Sequence, residues 1–391
     1  MCAPSADFAR AVAAFLADVP GPRARRRAAV EARFPVDSEE RSRAVDLALD
    51  ALESAPLAPV PHLAPPQRLP AAPVTALCFS AFPHIANEVY PLLVDACVAG
   101  ASAVAVHRDW LRDGGFRRAL WLDDDGGLTE ADVLDAPPIA RALALALDLR
   151  HERADHARLE AALPGAHWLN PTAGTDVLDD KAQTGHLWGQ GGLPTPRMRR
   201  PGEPATALGE TVIVKSRNGT EGRGVARVPA ATVADDDPRL VMEVRGDVTV
   251  RGCPCALRLN VSWDGAPHAE SGYAVVAGTP EGIASAGAGG RVIALADAWA
   301  ALCRADGTPV APTRADWQRL LALAEAGVAA LHLGPATPAL VGVDLLLDAA
   351  PDGLAPVLLE ANGRPAGHGH ARFVTPDGPG DEPGVSLRIW R

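Results

Sequence analysis

Hydrophobic spacing divides the chain into stretches of different character. Residues 1–55 carry Ala, Leu and Arg at helical spacing, and Asp37-Ser38-Glu39-Glu40 predicts a capping box opening a helix that runs to Leu52. Residues 55–73 hold seven prolines, too many for a helix or a central strand, so a linker or extended surface strap is expected. The runs VTALCFS (74–80) and SAVAVH (102–107) predict strands flanking a helix over 83–101. That order is a βαβ unit with a parallel sheet. Continuous apolar spacing predicts a helix over 138–163 and a helix start over 176–185. A β-branched strand over 211–215 leads through a Gly-rich loop to a returning strand. Further strands are expected at 240–244, 255–263, 271–278, 340–349 and 355–365, with a Thr313-capped helix over 313–331. The fold class is therefore α/β (α+β).

At 391 residues, 48% of them apolar, the chain needs no disulfide or metal staple to fold and has room for two or three domains. A net charge of −11 argues against a general nucleic-acid or anionic-membrane binder. No apolar run reaches the ~20 residues of a membrane span. Asp7 and Arg10 interrupt the N-terminal apolar run, no basic segment precedes it, and a secretory signal is not expected; a cytoplasmic location is. The six cysteines are expected as thiols, because Cys253-Pro254-Cys255 lacks a second ligand pair at zinc spacing.

One count changes the picture. Lysine and arginine total 37, yet only Lys181 and Lys215 are lysines, leaving 37 − 2 = 35 arginines. The Ala, Arg, Gly and Pro bias points to a coding background that converts surface lysine to arginine. A lysine that survives it marks a place where a compact ammonium is needed and a planar guanidinium does not serve. Lys215 closes a strand before a loop with Gly219, Gly222 and Gly224, whose backbone N–H groups can approach phosphate without a Cβ in the way. Glu243 ends an apolar run. Asp344 lies inside a run of Val and Leu, where a lone carboxylate is costly unless paired or metal-bound. Strand alternation in Glu360-Ala361-Asn362-Gly363-Arg364 predicts positions 360, 362 and 364 on one face. With Asp344 on a neighbouring strand, that face suits Mg²⁺, which takes few protein oxygens and completes its shell on substrate phosphates. His368 and His370 lie among glycines and read as solvated loop residues rather than a catalytic pair.

Together IVKSRNGTEGRGV (213–225), VMEV (241–244), GVDLLL (342–347), LLEANGRPAG (358–367) and Lys181 in DDK resemble the ATP-grasp superfamily over roughly residues 165–370. The resemblance implies an ATP-grasp fold with an N-terminal helical extension and linker (1–73). A parallel α/β domain preceding the grasp (74–165), a central lid subdomain (166–250) and a C-terminal lobe with the metal site (251–391) would follow. It implies that Lys181 and Lys215 contact the nucleotide phosphates, and that the loop from Gly219 through Gly222 and Gly224 covers them. Glu243 and Val244 would meet the adenine edge and Asp247 the ribose. Asp344, Glu360 and Asn362 would hold Mg²⁺ (or Mn²⁺), with Arg364 and Arg258 stabilising developing charge. Gly342 departs from branches that place an arginine two residues before the first metal acid, and the spacing from Asp344 to Glu360 is long.

The implied activity is an ADP-forming ligase that joins a small-molecule carboxylate to an amine, an amino acid or peptide among the candidates, through an acyl phosphate. An ATP-grasp kinase and a nucleotide-binding protein without turnover are the alternatives. A homodimer is an open expectation, with no nucleic-acid or membrane partner.

Overall fold

The computed structural model describes residues 61–80, 88–123, 125–147, 151–219, 222, 224–351 and 353–391, together with 12, 23–34 and 45. Residues 23–33 form a helix; the rest of the helical stretch expected over 1–55, apart from residues 12, 34 and 45, lies outside the described residues, as does the capping box at 37–40.

The first sheet is built on β1 (Val74–Phe79), buried along its whole length. Helix α1 (Tyr90–Val98) leads to β2 (Ala103–His107), which lies parallel to β1 as the alternating pattern predicts. Next comes a hairpin of β3 (Arg118–Leu122) and β4 (Leu128–Asp132), then β5 (Ile139–Ala144) and helix α2 (Glu152–Ala162). The sheet is mixed rather than all parallel. In the turn after β3, the Asp123 carboxylate accepts from the Gly127 N–H at 2.7 Å. A turn this short returns the chain antiparallel, so β3 and β4 form an antiparallel pair beside β2. Of the proline-rich stretch, residues 61–73 are described, and there His62 and Leu63 run parallel to β4.

The helix expected over 138–163 is corrected. Residues 139–144 are strand β5, parallel to β1, and the helix begins only at Glu152. The Ala/Leu run satisfies both the helical and the strand period. What decides is the place beside β1, where Ala142, Leu143 and Ala144 are fully buried.

The helix start expected over 176–185 falls across two helices, α3 (Thr172–Asp179) and α4 (Lys181–Gln190). Asp180 separates them in extended conformation and caps α4 by accepting from the Ala182 and Gln183 N–H groups. A three-stranded antiparallel sheet follows, with β6 (Thr211–Lys215) between β7 (Ala226–Pro229) and β8 (Leu240–Glu243).

The largest sheet has nine strands. Its core order is β10 (Pro267–Val276), β9 (Cys253–Trp263), β11 (Leu340–Ala350) and β12 (Gly353–Asn362), all antiparallel. Helix α5 (Arg314–Ala329) packs on this sheet through Trp317, Leu320 and Ala324. Its capping box joins Thr313 and Asp316. The molecule is a mixed α/β protein. Among the described residues no helix is long and apolar enough to cross a membrane.

The first sheet and the nine-stranded sheet are joined by buried polar contacts. Asn170 is fully buried; its amide donates to the Leu340 and Gly363 carbonyls, both at 2.6 Å, and its oxygen accepts from the Leu340 N–H at 3.0 Å. Replacing it with alanine orphans three buried backbone groups, each worth about 1–3 kcal/mol. Asn170→Ala is therefore expected to lose at least about 3 kcal/mol in urea unfolding; a loss under about 1 kcal/mol would contradict this role.

At the same seam Asp95 accepts from the Val385 and Ser386 N–H groups, and Glu88 accepts from the Gly367 N–H. Burial pushes both carboxyl groups up to about 7, and the backbone donors offset only part of it. Burial pushes the imidazoles of His156 and His368 down to about 4 and about 3. Below the ordinary histidine value of 6.5, the unfolded chain binds protons that these two imidazoles refuse, which opposes the carboxylates. Above it these two histidines are neutral in both states, and of the four groups only the acids titrate. The native state then holds more protons than the unfolded one, so stability falls as pH rises through 7. Asp95→Asn is expected to shrink the fall in melting temperature between about pH 6.5 and 8; an undiminished fall would refute the assignment.

Candidate active site

The site begins with register. Arg258 on β9 lies opposite Asp344 on β11, and Asp344 opposite Glu360 on β12. Residues directly opposed across adjacent strands share a face. One row of the large sheet therefore reads Arg258, Asp344, Glu360, and Asn362 follows two residues on along β12. The ladder slips between Asp344 and Leu345, where an extra residue enters β12, and it runs on to the pair of Ala350 with Gly353. The Arg258 guanidinium clasps Asp344 with two hydrogen bonds of 2.6 Å and donates to the Tyr273 hydroxyl at 3.2 Å. Asn362 reaches within 3.4 Å of the Asp344 carboxylate. Gly342 leaves room for this pair: a Cβ there would lie 3.4 Å from Arg258 Cδ and 2.9 Å from Pro365 Cβ.

From β6 and α4 the two lysines reach the same row. Lys215, at the end of β6, brings Nζ to 3.4 Å from Glu360 Oε2, and Lys181, at the start of α4, to 3.6 Å from the same oxygen. Lys181 also donates to the Gly219 carbonyl at 2.5 Å. Three cations thus face two adjacent carboxylates. Burial pushes the Glu360 carboxyl up, but Lys215, Lys181 and Arg258 outweigh it and hold it at about 2. Asp344 moves the other way: burial raises it, and the Glu360 charge adds to what Arg258 does not cancel. Burial also pushes the Lys215 ammonium down, partly offset by Glu360.

Other residues singled out in the sequence lie elsewhere or are otherwise engaged. Arg364 is not on the face of Glu360 and Asn362. Strand β12 ends at Asn362, and Gly363 presses on α3, where a Cβ would lie 2.9 Å from Thr175 Cα. The alternation breaks there, and the buried Arg364 guanidinium meets Glu152 at 2.9 Å, His156 at 3.1 Å and Asp179. Glu243 pairs with Arg245 at 3.1 Å, and Asp247 accepts from the Ala349 N–H at 2.6 Å. Val244, half-buried, follows β8 directly. Gly222 and Gly224 take positive φ of 68° and 70°, and Gly219 is the carbonyl that receives Lys181; Thr220, Glu221 and Arg223 of this loop lie outside the described residues.

The expected solvated loop at 368–370 is corrected. His368 is 1% exposed, and burial pushes the His370 imidazole down to about 4. Glycines made that loop read as open, but Glu88 accepts from the Gly367 N–H, Tyr273 donates to the Ala366 carbonyl, and the Tyr273 ring meets His370 edge-on. Sequence reasoning missed Glu88, Asn170 and Asp180; only Asp180, next to one of two lysines, carried a local signal. The described cysteines are free, and burial pushes the Cys78 and Cys255 thiols up to about 12, which leaves them poor nucleophiles.

Among the described residues no group of three or more His, Cys, Asp and Glu forms a metal nest. The set at hand is two carboxylates and one amide. That is the donor chemistry of a hard cation whose remaining ligands come from water and substrate oxygens, so Asp344, Glu360 and Asn362 fit Mg²⁺ or Mn²⁺.

No protein-family model matches the chain, and no curated protein does. Among solved structures it is similar to D-cycloserine synthetase DcsG, at 16% identity over 75% of this chain and 92% of that one, with a TM-score of 0.45. It is similar to D-alanyl-alanine synthetase A from Vibrio cholerae at 14% identity, covering 76% and 90%, with a TM-score of 0.44. It is also similar to ATP-grasp ligase PsnB, solved with Mg and ADP, at 14% identity, covering 76% and 91%, with a TM-score of 0.43. These three likenesses are distant.

Proposed function

We propose that the chain is an ATP-grasp ligase that activates a small-molecule carboxylate with ATP and joins it to an amine, releasing ADP and phosphate. The observation that carries this reading is the convergence of the two lysines, from two different elements, on the row Arg258, Asp344, Glu360. Phosphoryl transfer asks a protein mainly for in-line positioning and charge neutralisation. Two ammonium groups and a guanidinium beside paired carboxylates supply both. Asp344, Glu360 and Asn362 would hold Mg²⁺, which when bound supplies charge neutralisation on the phosphate oxygens.

The chemistry balances without a side-chain nucleophile. A substrate carboxylate oxygen forms a bond to the γ-phosphorus, and the bond from that phosphorus to ADP breaks. The amine then adds to the acyl carbon, loses a proton, and phosphate departs. Lys181 and Lys215 neutralise the phosphates, and Arg258 is the guanidinium placed for the charge that builds on the transferred group. Glu243 and Val244 would border the adenine and Asp247 the ribose. Arg364, engaged by three partners on α2 and α3, holds the first sheet's helices to the end of β12.

The test is incubation of the protein with ATP, Mg²⁺ and pooled amino acids. Amine-dependent phosphate release together with a new amide supports the ligase. A stable phosphorylated product with no amine requirement would replace the reading with a kinase, and nucleotide binding without turnover on any pool would remove the enzymatic claim.

A further inference from the structure

Asp180 stands at the junction of the two lysine-bearing segments. It precedes Lys181, and its Oδ1 accepts the Ala182 and Gln183 N–H groups, both at 3.1 Å, as the cap of α4. The same carboxylate receives Arg217, two residues beyond Lys215, through paired hydrogen bonds of 2.6 Å from Nε and Nη2. The backbone closes the same junction: the Lys181 N–H donates to the Arg217 carbonyl at 3.2 Å. One carboxylate therefore stitches the start of a helix to the strand and loop that carry the second ammonium. We propose that Asp180, through its bidentate pair with Arg217, is a positioning residue that fixes the Lys181 and Lys215 ammonium groups relative to one another for a polyphosphate. This rests on the nucleotide reading above.

Cap and pair are separable functions of the same side chain. Asparagine caps a helix as well as aspartate does but cannot make the charged pair. Alanine loses both. Neither Asp180 nor Arg217 touches the row of Arg258, Asp344 and Glu360 in the contacts described above, so their effect on nucleotide passes through the lysines. Arg217 is more than half exposed, so the pair is expected to weaken as salt rises. The Arg217 guanidinium also holds the Asp180 carboxyl below its usual range, with the cap N–H groups assisting.

The experiment is calorimetric titration of the full chain with MgADP, alongside melting temperatures. Asp180→Asn and Arg217→Gln are each expected to weaken MgADP roughly fivefold with melting temperature unchanged, and the double variant to weaken it no further. Asp180→Ala is expected to show the same weakening and in addition to melt a few degrees lower, by about the value of a lost cap. Unchanged or tighter MgADP binding by Asp180→Asn, with wild-type binding intact, would overturn the positioning role and leave the nucleotide site standing. Additive losses in the double variant would overturn the pairing. No MgADP binding by the wild-type chain would overturn the nucleotide reading and this inference together.

Discussion

Glutamine in place of Glu360 is expected to lower Mg²⁺-dependent ATP turnover by roughly 10²–10³-fold, the usual size of a lost electrostatic group at a reacting phosphate. The side chain keeps its volume and loses its charge. Glu360 is opposed by Lys215 and Lys181 at 3.4 and 3.6 Å and lies directly across from Asp344, so no other oxygen occupies its place in the row. Its carboxyl stays near 2 because the three cations outweigh the penalty of burial, so it is ionised throughout the working pH range. Without it the two ammonium groups face a deficit of negative charge that phosphate oxygens can fill. Metal-free ADP should therefore bind at least as well as to the wild type while Mg²⁺ activation is lost. Initial rates against Mg²⁺ concentration, with a metal-free ADP titration, measure both. Normal turnover with an unaltered Mg²⁺ dependence would remove Glu360 from the metal site.

The second large effect is on the fold. Arg258 and Asp344 form a bidentate pair inside the large sheet, and Asp344 is nearly buried. Breaking a buried pair by removing one partner costs about 3–5 kcal/mol, because the remaining charge keeps its desolvation penalty and loses its compensation. Arg258→Met is thus expected to lower stability by that amount in denaturant unfolding. Adding Asp344→Asn removes the stranded charge, so the double variant should recover most of the loss while remaining inactive. If the double variant is as unstable as the single, the loss comes from packing of the arginine stem rather than from the stranded charge.

These two residues also show what the sequence could and could not convey. The strands bearing Lys215, Asp344 and Glu360 were readable because their apolar alternation ends or breaks at a charged residue, and a charge inside a Val/Leu run demands a partner. Arg258 was legible only through the family resemblance, since nothing local says which strand it will face; register supplies that, and register is a long-range property. The Arg364 expectation extended strand alternation two residues past the end of β12, where Gly363 bends the chain onto α3. The run over 138–163 failed for a different reason. Alanine and leucine serve both periods, so the choice was made by the neighbouring strands. Glu88, Asn170 and Asp95 were silent because their role is to satisfy backbone groups 170 or more residues away.

The most direct test of the central claim is a crystal structure of the full chain grown with MgADP. The account predicts phosphates between Lys181 and Lys215, and a divalent ion held by Asp344, Glu360 and Asn362 on the large sheet. A nucleotide bound elsewhere, or phosphates seated away from both ammonium groups, would contradict it.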